Sequence, residues 1–185
     1  MTTLKIHNLE TAPEESKQAL ENSQKAYGVI PGLHGVLANS PQTLEAYKTL
    51  HEFFVNSSFN NDELTVVWQT INVEHECHYC VPAHTGIAAM MKVDESISNA
   101  LRNRTAMPNA KLQALHEMTL KIVRNRGHVT QEDLDTFYAA GYGERQVLEI
   151  ILGLSQKIIS NYTNHIANTP VDAMSKKFAW EPTTV

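Results

Sequence analysis

Residues 77 to 84 read Cys77-His78-Tyr79-Cys80-Val81-Pro82-Ala83-His84 and carry both cysteines of the 185-residue chain. Pro82 has no N–H and a fixed φ, so it belongs in the first turn of a helix. The pattern after it stays helical through Met91. The stretch therefore opens a helix, with both thiols near its N-terminus. If the chain is helical from about Cys77, Cys80 lies about 60° back around the axis and His84 about 20° back. Two sulfurs and an imidazole then share one narrow face. His84, one turn after Cys80, reaches its sulfur directly or through one water. Free N–H groups and the helix dipole at this end favour a thiolate, so position and neighbour both lower the Cys80 pKa.

Working outward, Asn60 and Glu63 are a helix-start signal, and Leu64, Val67, Trp68 and Ile71 form an apolar stripe on the helix that leads to Cys77. Earlier, Thr11-Ala12-Pro13-Glu14 reads as a capping box opening a helix that runs to about Tyr27, with Gly28 as its stop. Val29 to Asn39 is a connector with room for a short helix. Ser40-Pro41 starts the next, with Leu44, Tyr47, Leu50 or His51, and Phe54 on one face. Beyond Met91, Asp94 caps a short helix ending near Asn103. Pro108 starts a long one, with Leu112, Leu115, Thr119, Ile122 and Val123 on one face and Gly127 at its end. Thr130 to Asp133 cap a helix carrying Leu134, Phe137 and Tyr138, closed by Gly141. The last helix spans about Glu144 to Ala167, with Val147, Ile150, Ile151, Leu154, Ile158 and Tyr162 as its expected buried stripe. Period-two alternation, repeats and long linkers are all missing. The expected architecture is all-α, one domain over residues 11–172 with about seven or eight helices around one core. Residues 1–10 read as an N-terminal extension and 173–185 as a tail, whose Phe178 and Trp180 suit docking on a neighbour.

A net charge of −5 and a pI near 6.0 give no electrostatic footprint for nucleic acid. No apolar run is long enough for a membrane helix, and residues 1–10 hold no apolar signal core, so the expected location is the cytoplasm. Thiols are kept reduced there, and a C-x-x-C pair is more often redox-active or metal-binding than a structural disulfide.

A thiolate with a second thiol one turn away suits redox cycling. Cys80 would take the terminal oxygen of a hydroperoxide and become a sulfenic acid, Cys77 would condense with it to a disulfide, and an external dithiol would restore the pair. No cofactor is needed. Other readings fit the same residues. The pair could be half of a zinc site completed by His84, His75 or His78, although the second half of a common structural site is missing. The cysteines could be buried and inert. Glu63 fits a capping role as well as a catalytic one, and Glu74 and Glu76 fit solvated charges. His51, His116 and His165 lie on or beside apolar stripes, where a structural role is usual.

Glu63-Leu64 with Ile71-Asn72, followed by the Cys77, Cys80 and His84 spacing, resembles the alkylhydroperoxidase D-like branch of the carboxymuconolactone decarboxylase superfamily. Tyr27-Gly28-Val29-Ile30-Pro31 resembles its Y-G-x-x-P connector, and Asn39-Ser40-Pro41 its A-x-S-P helix start. Ala140-Gly141-Tyr142 and Asn161-Tyr162-Thr163-Asn164-His165 resemble its A-A-G turn and N-x-x-N-[RH] last helix. The resemblance spans Thr11 to Asp172. It implies an all-α fold assembled as trimers or hexamers, and an antioxidant peroxidase-like activity. Cys80 would be peroxidatic, Cys77 resolving and His84 part of a proton relay. The family's relay also draws on a glutamate of the preceding helix. The matching position here is Thr65, and Glu63 stands two residues earlier; Glu74, His75 or His78 could substitute. The family's best-studied members have a histidine just before the second cysteine, where this chain has Tyr79. Asn161, Asn164 and His165 are candidates for lining the pocket or a subunit contact. The superfamily also includes lactone decarboxylases that need no cysteine pair, so a lyase is the alternative enzyme, and a metal-binding or structural protein the alternative without turnover.

Overall fold

The computed structural model describes residues 4–182; residues 1–3 of the N-terminal extension and 183–185 of the tail lie outside the described residues. The chain is all-helical, with nine α-helices and one 3-10 helix among the described residues. In order these are α1 (Glu14–Tyr27), α2 (Gly32–Leu37), α3 (Pro41–Val55), α4 (Asn61–Glu74), α5 (Cys80–Met90), α6 (Glu95–Arg102), α7 (Ala110–Arg124), α8 (Gln131–Ala139), α9 (Glu144–Ala167) and a 3-10 helix, Ala173–Phe178. The connector helix α2 and the 3-10 helix span six residues each, too few for a periodic pattern to show in sequence.

Most boundaries follow from local chemistry. Asn60 and Glu63 close a reciprocal capping box at the start of α4, each bond 3.0 Å. Thr130 and Asp133 do the same for α8, and Ser40 caps α3 ahead of Pro41. The box expected at Thr11 does not form. Pro13 itself occupies the cap position of α1, and the Thr11 hydroxyl accepts instead from the Asn8 N–H at 3.1 Å. Gly28, Gly127 and Gly141 turn the chain at φ of 76°, 83° and 92°, a left-handed backbone that a side chain would strain.

Helix α4 lies at the centre, packed against α5, α6, α7 and α9, and every residue from Glu63 to Val73 is buried. Its Leu64, Val67, Trp68 and Ile71 join Phe54, Leu112, Leu115, Phe137 and Ile150 in the larger apolar cluster. A smaller cluster sits under α1, α2 and α3, where Leu20, Leu33, Leu37, Leu44 and Tyr47 pack with Cys77, Tyr79 and Cys80. The thiols thus belong to the smaller cluster.

The last helix keeps only half of its expected stripe inward: Ile150 is buried, and Val147 and Leu154 pack against the larger cluster. Ile151, Ile158 and Tyr162 face outward, at 44%, 39% and 50% exposure, while Gly153, Gln156, Lys157, Ser160, Asn161 and Asn164 are buried. A polar face can be buried this way only because it finds partners inside. Gly153 marks a close contact: a Cβ there would lie 2.8 Å from the Phe54 ring. No helix among the described residues is long and apolar enough to cross a membrane.

Candidate active site

The two cysteines are reduced and buried. Glu76, at φ 53°, turns the chain out of α4, and the Cys77 N–H returns to the Asn72 carbonyl at 3.0 Å. Cys77 therefore precedes the helix rather than opening it; Cys80 is the first residue of α5. The Cys77 carbonyl accepts from the Val81 N–H at 3.1 Å, and the Cys77 sulfur accepts from the Cys80 N–H at 3.3 Å. Pro82 falls in the first turn, where its missing N–H has no ladder partner to lose.

Helix α9 supplies what faces the thiols. Lys157, Asn161 and Asn164 recur at i, i+4 and i+7, one face of the helix. Asn164 Nδ2 donates to Cys80 Sγ at 3.3 Å. Asn161 Nδ2 donates to Asn72 Oδ1 at 3.0 Å, and His75 Nδ1 is 2.9 Å from Asn161 Oδ1. Asn72 continues to Gln69, and Gln69 to the Val81 carbonyl and Thr85, so α4 and α5 are braced by the same amides. Lys157 is 1% exposed, and its ammonium donates to His84 Nε2 at 2.9 Å. His84 packs on the Trp68 ring, whose Nε1 donates to Gln156 Oε1 at 2.8 Å.

These neighbours separate the two thiols. Burial pushes the Cys80 thiol up, but the hydrogen bond from Cys77, the Lys157 charge and the amides of Asn164 and Asn161 outweigh it and hold Cys80 down at about 5. Cys77 moves the other way, raised first by its hydrogen bond to Cys80 and then by burial. Desolvation drives His84 well below its ordinary value, helped by Lys157, so its ring is neutral. Desolvation also lowers Lys157, against the attraction of Cys80 and Cys77. With Nε2 accepting from Lys157, the His84 proton sits on Nδ1. That atom and Asn164 Oδ1 are buried and have no partner among the described residues.

The acidic candidates are engaged elsewhere. Glu63 pairs with Lys111 at 2.9 Å besides capping α4. Glu74 makes a two-pronged bond to Arg124 at 2.7 and 2.8 Å, and that guanidinium lowers its pKa. No hydrogen bond joins either carboxylate to Cys77, Cys80 or His84 among the described residues. The His78 ring bonds the Thr169 carbonyl at 3.0 Å. Among the described residues, no three His, Cys, Asp or Glu side chains converge as metal ligands would.

The segment after α9 crosses the cysteine loop. Tyr79 OH donates to Asp172 Oδ2 at 2.5 Å while accepting from the Leu33 N–H at 3.2 Å, and Asp172 Oδ1 accepts from the Gly32 N–H at 3.0 Å. Phe178 lies over Gly86, and Arg102 holds the Phe178 and Ala179 carbonyls. Trp180 Nε1 donates to the Arg102 carbonyl at 3.1 Å. Phe178 and Trp180 are therefore anchored on their own chain.

Several solved structures share this arrangement of helices. An uncharacterized peroxidase-related protein from Ralstonia eutropha JMP134, described as an alkylhydroperoxidase AhpD core, superposes with a TM-score of 0.83 over 94% of each chain at 16% identity. The fold is that of AhpD-like proteins. A peroxidase-related protein from Silicibacter sp. TM1040 shares the AhpD-like fold at a TM-score of 0.77 and 17% identity, over 94% of this chain and 96% of that one. So does the debrominase Bmp8, solved as a cysteine-to-alanine variant with 2,3,4-tribromopyrrole, at 0.77 and 14% identity over 96% and 95%. No protein-family model and no curated protein matches the sequence. On the AhpD-like scaffold, the residue that sequence reasoning missed is Lys157. It sits among Leu154, Ile158 and Ile159, where a lysine reads as a solvated interruption of an apolar helix. The signal available was its spacing to Asn161 and Asn164, the pair carrying the family-like pattern.

Proposed function

We propose that this chain is a thiol-dependent, peroxidase-like oxidoreductase that reduces hydroperoxides through Cys80 and Cys77. The observation that carries this reading is the polarised pair. The Cys80 sulfur accepts from Asn164 Nδ2 at 3.3 Å, and against burial its pKa is lowered by the hydrogen bond with Cys77, the Lys157 charge and that amide, while its neighbour Cys77 is raised by their mutual hydrogen bond and by burial. An inert buried pair needs no such asymmetry, and a structural thiol in apolar surroundings is raised. Cys80 attacks the terminal oxygen, the O–O bond breaks, and Cys80 becomes a sulfenic acid. Cys77 displaces its hydroxyl to form the disulfide with release of water, and an external dithiol reduces it. His84 handles protons beside Lys157; Glu63 and Glu74 take no step in this scheme.

The deciding experiment is consumption of an organic hydroperoxide with dithiothreitol as reductant, for the wild type, Cys80→Ser and Cys77→Ser. Cys80→Ser loses turnover. Cys77→Ser completes one turnover and leaves a sulfenic acid on Cys80 that a dimedone-type probe traps for mass spectrometry. Equal consumption by all three overturns the mechanism. Because a debrominase shares the fold, 2,3,4-tribromopyrrole belongs in the same substrate panel.

The outward row of Leu148, Ile151, Ile158 and Tyr162 on α9 supports assembly into homo-oligomers, with light scattering as its test.

A further inference from the structure

A buried thiolate must be rid of its charge when it reacts, and so must the cation that balances it. Lys157 and Cys80 are both buried, and a lone charge in such a place is unstable. Lys157 hands one hydrogen bond to His84 Nε2 at 2.9 Å, and the other end of that ring, Nδ1–H, is buried without a partner. Imidazole accepts at one nitrogen and donates at the other, so the ring is poised to pass a proton outward from the lysine. His84 stands one turn after Cys80 on α5, a spacing that sets the two Cβ atoms about 5–6 Å apart on neighbouring parts of the helix surface.

We propose that Lys157 and His84 form a buried proton relay that protonates the oxygen leaving from the hydroperoxide as Cys80 attacks. This rests on the peroxidase-like reading. The Cys80 thiolate forms a bond to the terminal oxygen, which keeps its hydrogen, and the O–O bond breaks. The departing alkoxide takes the Nδ1 proton of His84 and leaves as an alcohol, while Nε2 takes a proton from Lys157. The site passes from thiolate and ammonium to sulfenic acid and neutral amine, so its net charge is zero before and after. Condensation with Cys77 releases water with no net proton change. When a dithiol regenerates the Cys80 thiol, its proton returns to Lys157 and the ion pair re-forms. His84 is the group that touches substrate, and Lys157 acts through it.

The test compares a poor leaving group with a good one in a single turnover of pre-reduced enzyme, using tert-butyl hydroperoxide and peracetic acid. Tert-butoxide needs a proton as it leaves; acetate does not. A weaker thiolate slows both reactions together, so the ratio of the two rates isolates the relay. In Lys157→Met, the rate with tert-butyl hydroperoxide falls at least tenfold further than the rate with peracetic acid. His84→Gln, which donates a hydrogen bond but cannot hand a proton on, shifts the ratio the same way and decides the matter if Lys157→Met does not fold by circular dichroism. An unchanged ratio in the folded variants overturns the relay and leaves the peroxidase reading standing. Reaction of the wild type with neither peroxide overturns both.

Discussion

Asn164 Nδ2 donates to Cys80 Sγ at 3.3 Å across a separation of 84 residues, tying the last helix to the first residue of α5. This bond is one of those holding the thiolate, and a hydrogen bond to a charged group contributes about 1.5–3 kcal/mol. Replacing Asn164 with leucine removes it, together with a buried carbonyl that has no partner among the described residues. The midpoint of the pH dependence of Cys80 alkylation, expected near 5 in the wild type, rises by about one pH unit. A midpoint that stays in place rules out the amide as a stabiliser of the thiolate.

Acid weakens the fold through its histidines. Burial lowers His34 and His51 from 6.5 to about 4, with Lys48 and His51 adding to the effect on His34 and Lys157 to that on His51. Their folded-state values lie below the unfolded ones, so between about pH 6.5 and 4 the unfolded chain binds more protons and stability rises with pH. Taken down through that window, the protein loses on the order of 2–3 kcal/mol for each ring. Thermal melts at stepped pH record the loss. His34→Gln flattens the slope, and an identical slope in that variant removes His34 from the account.

Gly153→Ala destabilises the protein although alanine is the better helix former. The added methyl meets Phe54 Cε2 at 2.8 Å and Val67 Cγ1 at 3.1 Å, in the contact between α9, α3 and α4. Overpacking of this kind costs about 1–3 kcal/mol, more than the propensity gain of about 1 kcal/mol. Chemical denaturation gives the sign directly.

Asp172→Ala loosens the segment over the thiols. The carboxylate holds both Tyr79 OH and the Gly32 N–H, and neither donor has another acceptor among the described residues. Native-state reaction of Cys80 with an aromatic disulfide reagent speeds up about tenfold, the factor set by losing hydrogen bonds to a charged group. An unaltered rate means that the thiols are reached by another way.

The helices were legible because their punctuation is local. Asn60 with Glu63, Ser40 with Pro41, and Gly28, Gly127 and Gly141 act within a few residues of themselves. Cys80 and His84 share α5 as their spacing implied, while Cys77 stands just before the helix with its sulfur on the Cys80 N–H. The inward polar face of α9 was not legible. A hydrophobic stripe predicts an inward face only when polar residues prefer water, and here Gln156, Lys157, Asn161 and Asn164 find hydrogen-bond partners inside in Trp68, His84, Asn72 and Cys80. Those partners lie 73 to 89 residues away, beyond any local pattern. Glu63 stood out in sequence through the family resemblance and Glu74 by nearness to the motif, yet their partners Lys111 and Arg124 lie on or at the end of α7.

The order of synthesis gives the α9 face a further meaning. Cys77 and Cys80 leave the ribosome well before Lys157 and Asn164, since chains emerge from the N-terminus onward. Until α9 docks, Cys80 lacks the Lys157 charge and the Asn164 amide that help lower its pKa, and less of it is thiolate. The nascent chain thus carries its nucleophile disarmed, and the fold arms it with nearly the last helix it places.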